Sequence, residues 1–314
     1  MNSAVVNTGA AFPQGLRGVI PPLCTPLTAA GDVDLASLDR LVDHVLSAGV
    51  HGVFVLGSTG EGSDLTDGQR RQVVAGAVAR VEGRVPVLAG VLEPSTARVV
   101  ATGTEFRDLG ADGIVATAPY YFQANDRETE RHFRTIREQV DLPLVAYDIP
   151  VRVHVKLPLD VLVRLARDGV LTAVKDSSGD ESLMRALVDA TKEVSGFTVL
   201  TGSELLARTQ LSFGVQGNVP GLGNVDPGGF VRLYRAATSG DQQVADQEQA
   251  RIASLAGLET AAEQPGSQAA IAAFKAALVL LGVIDSATMT PPTDALAGAE
   301  IATVHQRLAQ AGLL

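Results

Sequence analysis

From Arg17 to about residue 240 the chain repeats one unit eight times, a short β-branched apolar run followed by a longer segment with helical spacing. The runs are 17–20, 52–56, 85–89, 113–116, 143–147, 171–174, 197–200 and 215–219. Most are continuously apolar rather than alternating, the pattern of a strand buried on both faces of a parallel sheet. Helical patterns follow at 34–48, 66–81, 95–109, 126–139, 158–167, 180–194, 203–212 and 226–239. Ser37, Thr66 and Asp180 read as helix starts, and Gly49 and Gly110 as stops. Eight strands, each with its helix, predict an α/β fold, a (β/α)8 TIM barrel over residues 17–240. An open doubly wound sheet has fewer units and a glycine-rich phosphate turn after its first strand; here Pro21-Pro22 stands at that place. Residues 241–314 add helical patterns at 241–263, 267–282 and 295–311, a C-terminal three-helix extension that covers one end of the barrel or builds a subunit contact. Residues 1–16 contain no basic residue, so they read as a disordered or extended leader rather than a secretory signal.

Composition removes several classes of function. A length of 314 residues suits one large barrel, and 46% hydrophobic with 19% charged residues excludes a disordered chain. A net charge of −10 argues against nucleic acid as a partner. The single cysteine, Cys24, excludes an internal disulfide framework, and the five histidines show no ligand spacing, so no metal site is expected. The most apolar stretch, 269–284, is interrupted by Lys275 and falls short of the roughly 18–20 residues that span a bilayer. It reads as a buried helix, and the expected location is the cytoplasm. The scarce residues are the landmarks: the 25 basic residues include only 4 lysines, and there are only 4 tyrosines.

In a barrel of this kind the active site lies at the carboxyl ends of the strands. There the sequence places Gly57-Ser58-Thr59-Gly60-Glu61 after the second run and Pro119-Tyr120-Tyr121 after the fourth. Tyr147 ends the fifth run, Lys175 directly follows the sixth, and Thr201-Gly202-Ser203-Glu204 follows the seventh. Three of the four tyrosines and one of the four lysines therefore stand on the catalytic rim. A lysine at the end of an apolar strand is partly desolvated, which favours the neutral amine over the ammonium. A neutral amine attacks a ketone to form a Schiff base, an electron sink for making or breaking carbon–carbon bonds. The competing reading of Lys175 is a structural ion pair with Asp176 or another carboxylate. Tyr147 on the adjacent strand can relay protons if a hydroxyl chain controls its ionisation, and Ser58 with Tyr121 would complete that chain. The Gly57–Gly60 turn offers N–H groups and two hydroxyls to a small carboxylate. Glu61 reads as a residue tying down that loop, His154 as a loop histidine, and Cys24 as a small buried residue.

The combination of Gly57-Ser58-Thr59-Gly60-Glu61, Pro119-Tyr120-Tyr121, Tyr147 with Pro150, and Lys175 before Asp176 resembles the dihydrodipicolinate synthase/N-acetylneuraminate lyase family in order and spacing. The resemblance runs from about Gly18 to the C-terminal helices. It implies a homotetrameric barrel, a dimer of dimers, in which a lysine forms a Schiff base with pyruvate or another 2-oxo acid and no separate cofactor is needed. On that resemblance Lys175 is the Schiff-base lysine and Tyr147 the proton-transfer tyrosine. Ser58 and Thr59 bind the pyruvate carboxylate, the Val219 carbonyl lines the pocket, and Tyr121 is lent to a neighbouring subunit.

The member of the family is read from the departures. Dihydrodipicolinate synthases carry Pro-x-Arg-Thr-Gly after the tyrosine, with the arginine on the substrate's distal carboxylate; here Arg152 is present but Val153 and His154 replace Thr-Gly. Ser58 stands where those synthases usually have threonine and sialate lyases have serine. The Ala89–Arg98 stretch departs from the pattern of lysine-inhibited synthases. The stretch 200–204 looks like sialate-lyase-type sequences, whose loop of Gly202, Ser203 and Glu204 faces the hydroxylated part of the substrate. The expected activity is a class I lyase that cleaves or forms a 4-hydroxy-2-oxo acid, with pyruvate and an aldehyde as partners. The alternatives are a 4-hydroxy-tetrahydrodipicolinate synthase, condensing pyruvate with aspartate semialdehyde, and a non-catalytic 2-oxo-acid-binding paralogue.

Overall fold

Pro21 and Pro22 have no N–H to extend a ladder, so the first strand, β1, is only Gly18–Val19. Their carbonyls still accept, and this closes the barrel. In the computed structural model, which describes residues 15–263, 266 and 268–314, the Phe54 N–H donates to the Pro21 carbonyl at 3.1 Å and the His51 N–H to the Val19 carbonyl at 2.8 Å. β2 is Val53–Val55, β3 Val87–Gly90, β4 Gly113–Ala116, β5 Leu144–Asp148, β6 Ala173–Asp176, β7 Thr198–Thr201 and β8 Gly217–Asn218. They run in the order β1-β8-β7-β6-β5-β4-β3-β2, every neighbouring pair parallel. The β1–β2 contacts turn this sheet into the expected TIM barrel.

The helices outside it are α1 Leu35–Ser47, α2 Asp67–Val81, α3 Thr96–Asp108, α4 Asp126–Val140, α5 Pro150–Val153, α6 Leu159–Arg167, α7 Glu181–Thr191, α8 Ala207–Ser212 and α9 Pro227–Ser239. Thr66 caps α2 in a reciprocal box with Gln69, and Asp180 caps α7. Ser37 is not the cap of α1. Asp34 is, because its carboxylate reaches the Ser37 N–H at 3.0 Å and a carboxylate is the stronger acceptor for an exposed helix start. Gly49 and Gly110 sit just past their helices at φ +82° and +95°, which a side chain would disfavour.

Two layers of core explain why the strands read as unbroken apolar runs. Inside the barrel Ile20, Phe54, Leu88, Val115, Val145, Ala173, Leu200 and Val219 form one cluster. Outside, alternate strand residues such as Val53, Ala89, Ile114 and Val174 pack on the helices in a second. Leu16 belongs to the inner cluster and is buried, while Gly15 lies against Thr198, the first residue of β7. Leu16 therefore plugs the amino-terminal end. The rest of the expected leader, 1–14, lies outside the described residues.

After α9 come α10 Gln242–Leu255, α11 Ala269–Leu280 and α12 Gly298–Gln310, with a 3-10 turn at Ala256–Ala261. α11 packs on the 3-10 turn Gly221–Asn224 that follows β8, so the extension reaches the carboxyl end of the barrel. Among the described residues no helix is long and apolar enough to cross a membrane.

Candidate active site

Side chains alternate across a strand, so Tyr147 and Lys175, paired directly across β5 and β6, point to the same side. That side is the barrel interior. Both are almost fully buried, at 3% and 5% exposure. The Lys175 Nζ lies 4.0 Å from the Tyr147 ring centroid and 5.1 Å from that of Phe54, within cation–π range of both. Lys175 lies inside β6 rather than after it. The strand starts at Ala173, two residues beyond the expected 171, and ends at Asp176.

Burial alone would raise the Tyr147 phenol. The Lys175 charge opposes it, and hydrogen bonds from Ser58, Lys175 and Ser177 add to that opposition, so the net shift is downward. An amine and a phenol of lowered pKa in contact can exchange a proton without water. Lys175 faces Tyr147 on its inward side; Asp176, one residue on, faces the helix layer, where its carboxylate accepts from the Ser178 N–H at 2.8 Å. No Lys175–Asp176 ion pair forms.

The turn after β2 presents Ser58 to that phenol. Leu56 and Glu61 both adopt left-handed backbone, at φ 59° and 54°, a conformation that costs non-glycine residues energy. A Cβ on Gly62 would stand 2.1 Å from the Leu56 carbonyl oxygen, so only glycine lets the turn fold back this tightly. The N–H groups of Gly60 and Gly62 bond the Gly57 carbonyl and that of Glu61 bonds the Ser58 carbonyl. One of the donors that the sequence offered to a carboxylate, the Gly60 N–H, is therefore used within the turn, and the hydroxyls of Ser58 and Thr59 belong to its polar face. Glu61 ties the loop down as expected: its carboxylate pairs with Lys275 of α11 and accepts from the Thr290 N–H and hydroxyl, each at 2.7 Å. Cys24, buried close by, has its thiol pushed up to about 12, chiefly by burial.

Ser58, which bonds the Tyr147 phenol, also lines a cavity of about 290 Å³, together with Thr117, Tyr120, Ile149, Arg152 and, from the extension, Gln268 and Ile271; Lys175 and Tyr147 themselves do not line it. The Thr117 hydroxyl is buried there without a hydrogen-bond partner. Among the described residues no three His, Cys, Asp or Glu side chains converge to hold a metal ion.

The comparisons with known proteins agree with this fold. Residues 15–311 match the model of the dihydrodipicolinate synthetase family. The chain belongs to this family. It is 37% identical to an uncharacterized DapA-like lyase of Halobacterium salinarum, over 98% of this chain and 97% of that one. It is 34% identical to a 4-hydroxy-tetrahydrodipicolinate synthase of Phenylobacterium zucineum, over 95% and 98% of the two chains. Among solved structures, YagE, an Escherichia coli prophage protein of the family in complex with pyruvate, superposes with a TM-score of 0.89 at 28% identity, over 95% of this chain and 99% of its own.

Other residues singled out in the sequence of this family member differ in where they stand. Tyr121 is 77% exposed and stacks edge-on against Phe122, away from its own chain's Tyr147. Val219 is part of the inner cluster. Arg152 is exposed at the cavity rim on α5. His154 ends α5 in left-handed backbone and donates its N–H to the Pro150 carbonyl, the loop role expected for it.

Ser203 and Glu204 do not face the cavity. The Ser203 hydroxyl accepts from the Leu206 N–H and the Glu204 carboxylate from the Leu222 N–H at 2.6 Å, which ties this loop to the turn after β8. This is also why α8 begins at Ala207 instead of 203. Gly202 lies against Ser177, whose Oγ would stand 1.9 Å from a Cβ there; only glycine leaves room for the Ser177 hydroxyl beside Tyr147.

Sequence reasoning missed Ser177, Thr117 and the reach of α11. Ser177 is two residues past Lys175 and Thr117 two past Val115, so period-2 counting would have put both in the interior. A lysine inside an apolar helix was itself a signal, since buried charges are paired.

Proposed function

We propose that the chain is a class I lyase acting on a 4-hydroxy-2-oxo acid, with Lys175 as the Schiff-base residue and pyruvate as one partner. The observation that carries this reading is the contact of the Lys175 Nζ with the ring of a Tyr147 whose phenol is bonded by Ser58. In the cleavage direction the Lys175 ammonium passes a proton to the Tyr147 phenolate, the freed amine adds to the C2 carbonyl, and Tyr147 donates that proton as water leaves. The resulting iminium draws electrons from the C3–C4 bond. Tyr147, now the phenolate, takes the proton of the C4 hydroxyl as that bond breaks to an aldehyde and an enamine. Protonation of the enamine at C3 and hydrolysis release pyruvate. The iminium is the electron sink, so the reaction calls for no separate cofactor.

Ser58 and Thr59 hold the pyruvate carboxylate, with Val219 beside it. Arg152 and the unpartnered Thr117 hydroxyl face the second half of the substrate, which favours a partner that is both oxygenated and anionic. The exposed Tyr121–Phe122 pair supports assembly, with Tyr121 entering a neighbouring chain's site in a homotetramer. Multi-angle light scattering of the wild type against Tyr121→Ala tests that assembly.

The second reading, a 4-hydroxy-tetrahydrodipicolinate synthase, is favoured by Arg152 at the rim and by the Phenylobacterium zucineum relative. Borohydride reduction with pyruvate, followed by peptide mass analysis, is expected to leave a carboxyethyl group on Lys175. An unmodified chain, or the same adduct in Lys175→Ala, rejects Schiff-base chemistry. Consumption of pyruvate with aspartate semialdehyde at a rate exceeding that with other aldehydes would replace the lyase reading by the synthase.

A further inference from the structure

Lys275 sits on α11 with no exposed surface, and the reaction at Lys175 makes no use of it. Its ammonium pairs with the equally buried Glu61 carboxylate and donates to the Thr288 carbonyl at 2.7 Å. Burying two charges costs nearly as much as their attraction returns, so stability is a weak reason for such a pair, and fixing one geometry is the better-attested use. What the pair fixes is specific. The Glu61 N–H bonds the Ser58 carbonyl at 3.1 Å, and the Ser58 hydroxyl bonds Tyr147. Leu56 and Glu61, on either side of Ser58, are both in left-handed backbone that a free loop of these residues would leave. Two further fastenings are the Thr25 hydroxyl on the Gly60 carbonyl at 2.7 Å and the Gln268 amide on the Asp64 carboxylate.

We propose that Lys275 is a positioning residue: paired with Glu61, it holds the β2 turn in the strained form that keeps Ser58 on Tyr147 and the turn's hydroxyls on the substrate carboxylate. The proposal rests on the Schiff-base reading for its kinetic part only. It makes the C-terminal extension a component of the active site, acting from behind the turn, while Ile271, one helical turn earlier on α11, lines the cavity in front.

The test is the double variant Glu61→Gln/Lys275→Met, which removes both charges at similar size. Its expected behaviour is a folded protein in which pyruvate KM, read from the rate of borohydride trapping, rises about tenfold or more while trapping at saturating pyruvate stays complete. Amide hydrogen exchange over 57–65 is expected to quicken about tenfold, with β5 and β6 unchanged. A lower unfolding midpoint with unchanged KM and unchanged exchange in the turn would show a merely structural pair and overturn the proposal. If the double variant does not fold, Thr290→Val decides, since it removes a single hydroxyl from Glu61: a KM rise of about threefold supports the latch, and no change overturns it. A wild type that pyruvate and borohydride do not trap rejects the Schiff-base reading instead, and the exchange measurement then decides the latch by itself.

Discussion

The turns after β2 and β5 stand on opposite sides of Lys175, and each is fastened by a lysine and a carboxylate, yet the two fastenings differ in kind. Glu61 and Lys275 come from distant parts of the chain and neither side chain touches water. Asp148 and Lys156 are eight residues apart, and the Lys156 side chain keeps 31% of its surface exposed. Burial pushes the Asp148 carboxyl above the ordinary carboxylate range, with the Lys156 ammonium offsetting only part of that. The β2 turn carries Ser58, which must meet one fixed phenol. The β5 turn carries Arg152 on a four-residue helix at the cavity rim. On the proposed reaction the first meets the pyruvate half of the substrate and the second the other half. A dry, long-range pair suits a geometry held to a fraction of an ångström; a local pair open to solvent suits a rim that adjusts.

The comparison breaks most visibly at Lys275. Lys275→Met alone leaves Glu61 charged, buried and unpaired, and is expected to cost about 3–5 kcal/mol in urea unfolding. A loss equal to that of Lys156→Met would mean that the two fastenings are alike after all.

A third fastening, uncharged, serves as control. His132 of α4 donates from Nε2 to the Thr117 carbonyl at 3.1 Å, and its Nδ1 accepts from the Thr96 hydroxyl at 2.9 Å. Burial lowers its pKa to about 4 from 6.5, against the raising effect of the Thr117 carbonyl. The unfolded chain therefore binds a proton between pH 6.5 and 4 that the folded chain refuses. Stability present above pH 6.5 is lost as the pH falls through that window, by about 3 kcal/mol in all. His132→Gln is expected to flatten this part of the pH profile, and an unchanged slope would refute a buried neutral histidine.

Lys156→Met comes next, at about 1–3 kcal/mol, since Asp148 keeps the Leu157 N–H and can take up a proton. Its kinetic effect should fall on the KM of the second substrate and leave that of pyruvate alone; a rise in pyruvate KM would erase the distinction between the turns. The smallest effect is expected at Gly202→Ala. Its Cβ displaces the Ser177 hydroxyl from Tyr147, one hydrogen bond of about 0.5–1.5 kcal/mol, or up to about tenfold in kcat. An unaltered kcat would remove Ser177 from the proton relay.

Much of this was legible in the sequence, for a local reason. A strand covered on both faces must be apolar throughout, so the runs at 52–56, 113–116 and 143–147 announced themselves. The same rule blurred the edge at 171, because Thr172 bonds Leu144 of β5 without joining β6 while Leu171 bonds back to Leu165 of α6, and it left Lys175 one position outside β6. For Ser203 and Glu204 the chain sequence shows a serine and a carboxylate but not the N–H groups of Leu206 and Leu222 that they accept from. Lys275 was visible only as an interruption of an apolar helix. Its partner stands 214 residues earlier in the chain, and no periodicity links the two.

By itself, then, the sequence determined the eightfold alternation, the barrel and the strand ends on which an amine, a phenol and hydroxyls would appear, because side-chain period and backbone sterics act over a few residues. Only the tertiary structure decided that Ser58, Ser177 and Lys175 converge on one phenol, that Thr117 is left unpartnered in the cavity, and that α11 grips the β2 turn from behind. Those relations depend on the closure of β1 on β2 and on the packing of the last helices over the carboxyl end, which bring together side chains that share no neighbourhood along the chain.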